Sequence, residues 1–242
     1  MSTSVKTRLT WLFALVGIVA VITLGVLFPF DRNYYFIALA VITLSMLPFL
    51  AAFEGRKPEA REIVTIAVLT ALAVAGRAAF FMLPQFKPGM AIVILAGVGL
   101  GRESGFVVGV LHGFISNFIF GQGPWTPWQM FSYALCGFLA GVFFSRSAER
   151  HSGFSSPLQK TLLIIYGALA TFVIYGLLVD SASVLIWSSE FTWSAARAIY
   201  LSGIPFNAVH AFATAVFLTL LSTLIVERLT RLKTRYGLFQ PH

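Results

Sequence analysis

Two short stretches hold most of the polar chemistry in an otherwise apolar chain of 242 residues. The first is FFMLPQFKPGM, in which Gln85 and Lys87 lie in a loop stiffened by Pro84 and Pro88, shortly after Arg77 in the preceding apolar run. An ionisable residue within such a run is expensive to bury. Arg77 therefore marks either a polar cavity or a side chain that snorkels to the headgroups. Lys87, already in a loop, reads by itself as a solvated anchor. The second stretch is GQGPWTPWQM, residues 121–130, with Asn117 just before it. Two glycines, two prolines and Thr126 make a restrained, irregular turn, and Trp125 and Trp128 add broad aromatic faces with one donor each. Tryptophans alone would suit an aromatic belt at a membrane surface. Asn117, Gln122 and Gln129 add amide donors and acceptors, the mixture that a mostly apolar ligand pocket requires.

Other candidates carry less. His112, His210 and Asn207 fall near the middle of apolar runs, and each histidine reads as a neutral ring hydrogen-bonded to a neighbouring helix. Neither HxxxH nor HExxH occurs, so a metal site has no support. Ser116 lies four residues after His112 and could share a helix face with it, the nearest approach to a nucleophile and base. The nine acidic residues are expected in loops or at helix ends, which leaves no intramembrane carboxylate pair. Cys136 is the single cysteine, so no intrachain disulfide can form. The chain carries no Walker A pattern, and any ATP-driven step must borrow hydrolysis from another chain.

The elements that position these residues follow from composition. With 58% hydrophobic residues, 11% charged and 24 Phe, the chain is not a water-soluble domain. Its apolar runs are continuous rather than alternating, which selects helices over a barrel. We expect an all-α integral membrane protein with about eight spans, near residues 10–28, 34–53, 61–82, 89–101, 104–120, 128–145, 158–179 and 196–226. The first run is too long for a signal-peptide core and reads as a retained span. The fourth, about 13 residues long, reaches only ~20 Å and is a half-span, a re-entrant piece or a helix extended by its neighbours. Pro205 is expected to kink the last run or mark its start, and Trp187 to Trp193 to form an interfacial cap.

Charge fixes the orientation. With the N-terminus inside, 13 of the 17 basic residues face the cytoplasm: Lys6, Arg8, Arg56, Lys57, Arg61, Arg102, Arg146, Arg150, Lys160, Arg228, Arg231, Lys233 and Arg235. Both termini are then inside, and the loops near 83–89, 121–127 and 180–195 are outside. The net charge of +8 is accounted for by this clustering, so no nucleic-acid partner is expected. The run FEGRKPEARE separates a two-helix prefix, residues 1–56, from a six-helix body, residues 57–242. At the start of that body Ala67, Ala71 and Ala75 recur every four residues. Such a stripe of small side chains permits close approach of another helix, either within the bundle or from a partner.

Residues 60–144 resemble the S components of energy-coupling factor (ECF) transporters. The resemblance rests on the alanine ladder, the loop after its helix, the glycine-rich AIVILAGVGLGRESGF, and GQGPWTPWQM leading into GFLAG. It implies a six-helix bundle, here preceded by two extra N-terminal transmembrane helices, that captures a vitamin from outside at the cell membrane. Its implied substrate-binding set is Arg77, Gln85, Lys87, Asn117, Gln122, Trp125, Trp128 and Gln129. Docking through Ala67, Ala71 and Ala75 onto a transmembrane scaffold subunit is implied too, with two cytoplasmic ATPase subunits using ATP and no cofactor bound by this chain. The GPWTPWQ segment is similar to that of S components for cobalamin or its precursors. A corrinoid is therefore the first ligand that the resemblance implies, with riboflavin, queuosine-type precursors and other vitamins as the alternatives. An intramembrane enzyme built on Ser116 and His112, or an assembly protein without a small ligand, is the alternative.

Overall fold

The computed structural model describes residues 3–27, 33–55, 58–150, 153–154, 156–188 and 191–238. Arg32 and the junction residues Arg56 and Lys57 lie outside this set, as do the side chains of Lys6, Arg8 and Arg150. The described residues form helices without strands: α1 Thr3–Leu27, α2 Asn33–Gly55, α3 Ala60–Ala79, α4 Gly89–Leu100, α5 Arg102–Phe120, α6 Thr126–Arg150, α7 Pro157–Trp187 and α8 Trp193–Tyr236. Five of them, from α3 and α5 to α8, are long and apolar enough to cross a bilayer. The chain is thus the all-α membrane protein that its composition requires.

The short fourth run is the centre of the bundle. Every residue of α4 is buried, so its twelve residues need not match the bilayer: protein surrounds them on all sides. A single residue joins it to α5. Gly101 adopts φ 104°, a conformation that L side chains resist, and turns the chain back within one peptide. Next to this corner three helices meet at Gly97, Gly105 and Gly137. A Cβ on Gly97 would lie 2.0 Å from the Gly137 carbonyl oxygen, and one on Gly105 would lie 2.6 Å from it. Backbone contact of this kind is what small residues provide where lipid supplies no hydrophobic drive for association.

The prefix packs on one side of the body. Phe49 of α2 stacks on Phe106 of α5 at 4.5 Å and meets Phe138 of α6 edge-on at 5.1 Å. Ile42 of α2 shares a core cluster with Trp128 of α6 and Ala182 of α7. The alanine ladder remains uncovered: Ala67, Ala71 and Ala75 are exposed, flanked by exposed Ile63, Val64, Val68 and Leu72. Of the two readings left open by its spacing, packing inside the bundle is therefore not realised.

Two boundaries differ from expectation. Helix α7 continues past residue 179 to Trp187, so Asp180 sits within a helix rather than in an outer loop. Its carboxylate accepts a 2.8 Å hydrogen bond from Asn207 Nδ2 and packs against Gly203, which makes the burial tolerable. Helix α8 starts at Trp193, twelve residues before Pro205, and runs through it. Its 44 residues span about 66 Å, well beyond a hydrocarbon core, and its last turns carry Arg228, Arg231, Lys233 and Arg235 away from the apolar layer. There Lys233 pairs with Glu149 at 3.1 Å, tying the ends of α8 and α6. Trp187 and Trp193, at the ends flanking the α7–α8 connection, are 71% and 82% exposed, as an interfacial cap requires.

Candidate functional site: a polar cavity at the outer end of the bundle

All six body helices converge on one polar cavity of about 50 Å³. Arg77 comes from the end of α3, Gln85 and Lys87 from the α3–α4 loop, and Gly89 and Met90 from the start of α4. His112 of α5, Gln129 and Tyr133 of α6, Tyr175 of α7 and His210 of α8 complete the wall. The cavity lies at the end where α3 finishes and α6 begins, opposite the Glu149–Lys233 pair. By the charge rule this end is outside.

Local structure explains the placement. Gly121, at φ 100°, ends α5 and lets the chain turn back over it. Asn117, in the last turn of α5, then organises the polar residues around it. Arg77 donates through Nη1 to Asn117 Oδ1 at 2.9 Å and also to Ser116 Oγ. Asn117 Nδ2 donates to Gln129 Oε1 at 2.8 Å and to Thr126 Oγ1 at 3.1 Å. Buried polar groups need such partners, and this network holds Arg77 and Gln129 at the cavity. The guanidinium also lies over the Phe120 ring, 4.3 Å from its centroid, and Lys87 Nζ lies 4.9 Å from the same centroid.

The floor is aromatic. His112 meets Tyr133 edge-on at 4.6 Å, Tyr133 packs on Tyr175 at 4.8 Å, and Tyr175 meets His210 edge-on at 4.8 Å. A π-helical stretch, Ala170–Tyr175, interrupts α7 where Tyr175 enters the wall, a local widening often found at functional positions. Gly89 admits the His112 ring, since a Cβ there would lie 2.5 Å from Nε2. Both nitrogens of His112, and Nδ1 of His210, make no hydrogen bond among the described residues. The expected bonds to neighbouring helices are thus absent, and the two rings face the cavity with unused polar capacity. The dyad fails with them: Ser116 Oγ accepts from Arg77, and His112 does not bond it.

Not every residue singled out by type reaches the cavity. Arg77, Gln85, Lys87 and Gln129 line it. Asn117 stands behind them. Gln122 instead supports the loop, donating to the Phe114 carbonyl at 2.9 Å and accepting from Thr126 Oγ1 at 3.0 Å. Trp125 stacks near Trp187 at 6.5 Å and covers Gly123, while Trp128 is buried where α2, α6 and α7 meet. Tyr133, Tyr175, Gly89 and Met90 escaped the sequence because apolar runs give no sign of which face turns inward.

Comparison with known proteins now adds to this geometry. A family model described as "ECF-type riboflavin transporter, S component" matches residues 57–227, more than two thirds of the chain. The chain belongs to this S-component family. A UPF0397 protein of Vibrio atlanticus is 31% identical over 123 residues, which covers 48% of this chain and 67% of that one. A UPF0397 protein of Aliivibrio fischeri strain MJ11 is 33% identical over 118 residues, 47% of this chain and 63% of the relative. The alignments thus span about two thirds of the relatives' lengths. No solved structure matches the chain. The family match covers residues 57–227, so helices α1 and α2 lie outside the matched segment.

Proposed function

We propose that this chain is the substrate-capturing subunit of an ECF-type importer in the cell membrane. It takes a vitamin or vitamin precursor from the outer side into the cavity between α3 and α8 and passes it to a membrane scaffold. Two ATPase subunits on the cytoplasmic side supply the energy. The observation that carries this reading is the cavity itself: eight polar or ionisable side chains, drawn from five of the six body helices and the α3–α4 loop, gathered at one end of an apolar bundle. Ionisable groups inside a bundle in lipid are costly, and by default they mark a ligand or ion site. Gln85 and Lys87 belong to the loop between α3 and α4, so displacement of that loop opens the cavity outward.

The exposed Ala67, Ala71 and Ala75 support docking on the scaffold. The prefix helices pack against α5, α6 and α7 and leave this stripe free. As for the ligand, a volume of about 50 Å³ holds a few water molecules, so the corrinoid suggested by the GPWTPWQ segment requires the helices themselves to part. A smaller vitamin, including the flavin of the family description, requires less. The test is calorimetric titration of the purified chain, without ATPase subunits, against cobalamin, cobinamide, riboflavin, thiamine, biotin, nicotinate and pantothenate. One of them is expected to saturate a single site with a Kd on the order of 1 µM or tighter, unaffected by ATP. Absence of saturable binding to every member would retire the reading.

A further inference from the structure

Arg77 and Lys87 present an electrostatic imbalance. Both lie against the one Phe120 ring, so their charges are within about 9 Å of each other, and among the described residues no Asp or Glu lines the cavity that they share. Hydrogen bonds from Arg77 go to Ser116 and Asn117, which are neutral. Paired cations without a counter-charge repel, and the repulsion grows as water leaves. An anion between them removes that cost. Deeper in, His112 is fully buried and His210 is 4% exposed, with three of their four ring nitrogens unbonded among the described residues. A neutral imidazole offers one donor and one acceptor, so this end of the cavity suits a group that can both accept and donate. The rings of Tyr133 and Tyr175 lie between the two histidines and line the same cavity.

Resting on the substrate-capture reading above, we propose that the ligand is a small organic anion whose one acidic group sits between Arg77 and Lys87 while its other end bonds His112 and His210. A carboxylate and a phosphate monoester share the chemistry that the cations recognise. Burial, and then the neighbouring Arg77 charge, lower the pKa of Lys87 from the ordinary lysine value. Charge-assisted bonds to an anion oppose both effects.

The experiment uses the full chain in phosphatidylcholine nanodiscs and matched acid and neutral pairs. Nicotinate and nicotinamide, biotin and biotinamide, and pantothenate and pantothenol form the carboxylate arm. Flavin mononucleotide with riboflavin, and pyridoxal phosphate with pyridoxal, form the phosphate arm. In one pair the acid is expected to bind at least ~30-fold more tightly than its neutral partner, a preference of the size that a desolvated charge-assisted contact gives. Lys87→Gln should remove ~10-fold or more of that preference and leave the neutral partner's affinity within about threefold. Lys87 is in a loop, so this variant folds even if Arg77→Gln does not. A neutral member that binds as tightly as its acid overturns the anion inference and leaves the S-component reading standing. If no member binds, the anion inference falls, and the S-component reading falls with it only if cobalamin, cobinamide and thiamine also fail to bind. Loss of acid binding in phosphatidylglycerol nanodiscs would assign the two cations to lipid headgroups and overturn the inference as well.

Discussion

Asn117→Ala separates a cavity organised by its hydrogen-bond network from one formed by shape alone. The substitution removes three bonds at once: one from Arg77 at 2.9 Å, one to Gln129 at 2.8 Å and one to Thr126 at 3.1 Å. Thr126 retains Gln122 and the Gly123 amide, so its loss is small. Arg77 retains only Ser116, and Gln129 Oε1 loses its bonded donor. A charge-assisted bond contributes about 1.5–3 kcal/mol and a stranded buried acceptor costs about 1–3 kcal/mol. Because both side chains also reach the cavity, water offsets part of this, and the net destabilisation should be ~2–4 kcal/mol. With Arg77 and Gln129 free to reorient, ligand affinity should fall about 10- to 30-fold, which corresponds to ~1.4–2 kcal/mol. Calorimetric titration reads the affinity, and thermal unfolding in the same detergent reads the stability. Trp125→Phe, whose ring stacks away from the cavity, is the control and should leave affinity within about twofold. An Asn117→Ala protein that binds as the parent does, or a Trp125→Phe protein that loses equally, would refute the network argument.

Ala71→Leu should leave ligand binding unchanged but weaken co-purification with the scaffold subunit by about tenfold or more, because the larger side chain blocks close helix approach on an exposed face. Normal recovery of the complex would remove the docking assignment. Gly97→Ala places a methyl 2.0 Å from the Gly137 carbonyl oxygen, and the rigid backbone on both sides cannot yield. The variant should destabilise the bundle by ~3 kcal/mol or more, seen as a lower unfolding temperature; a parental melting profile would contradict the three-glycine contact. For pH, Lys87 is charged only below its lowered pKa, so anion affinity should decline as pH rises through that value. The same shift means that protonating Lys87 favours the unfolded chain, so its contribution to stability is present at high pH and lost as pH falls through the folded-state pKa. Arg77 of α3, His112 of α5, Tyr133 of α6, Tyr175 of α7 and His210 of α8 surround the cavity, and the alkaline decline is assigned to Lys87 if Lys87→Gln abolishes it.

Much of this protein could be read from residue types along the chain. Continuous apolar runs fixed the helices, because a bilayer leaves the backbone no other way to satisfy its polar groups. Basic clusters gave an orientation to expect, and Arg77, Gln85, Lys87 and Gln129 stood out as polar residues where apolar ones are the rule. Gly105, Gly109 and Gly113 also repeat every four residues, a signal for the close α5–α6 contact that the eye passes over in a glycine-rich stretch. The two tryptophans stand outside the cavity wall: Trp128 joins the prefix to the body, and Trp125 covers the turn, because a large ring stabilises a helix junction as readily as it lines a pocket.

By itself, then, the sequence determined what must be in the membrane, which end the charge rule assigns to the outside and which polar side chains are exceptional, since those follow from composition and one-dimensional order. Only the tertiary structure decided that α4 is enclosed on every side, that the alanine stripe stays open, and that His112 and His210 share one cavity wall with Arg77, Lys87 and two tyrosines. Those outcomes depend on the rotation of each helix about its own axis. Long apolar helices have little amphipathic contrast to set that rotation in advance, so it is settled by where glycines let backbones touch and where polar side chains find one another.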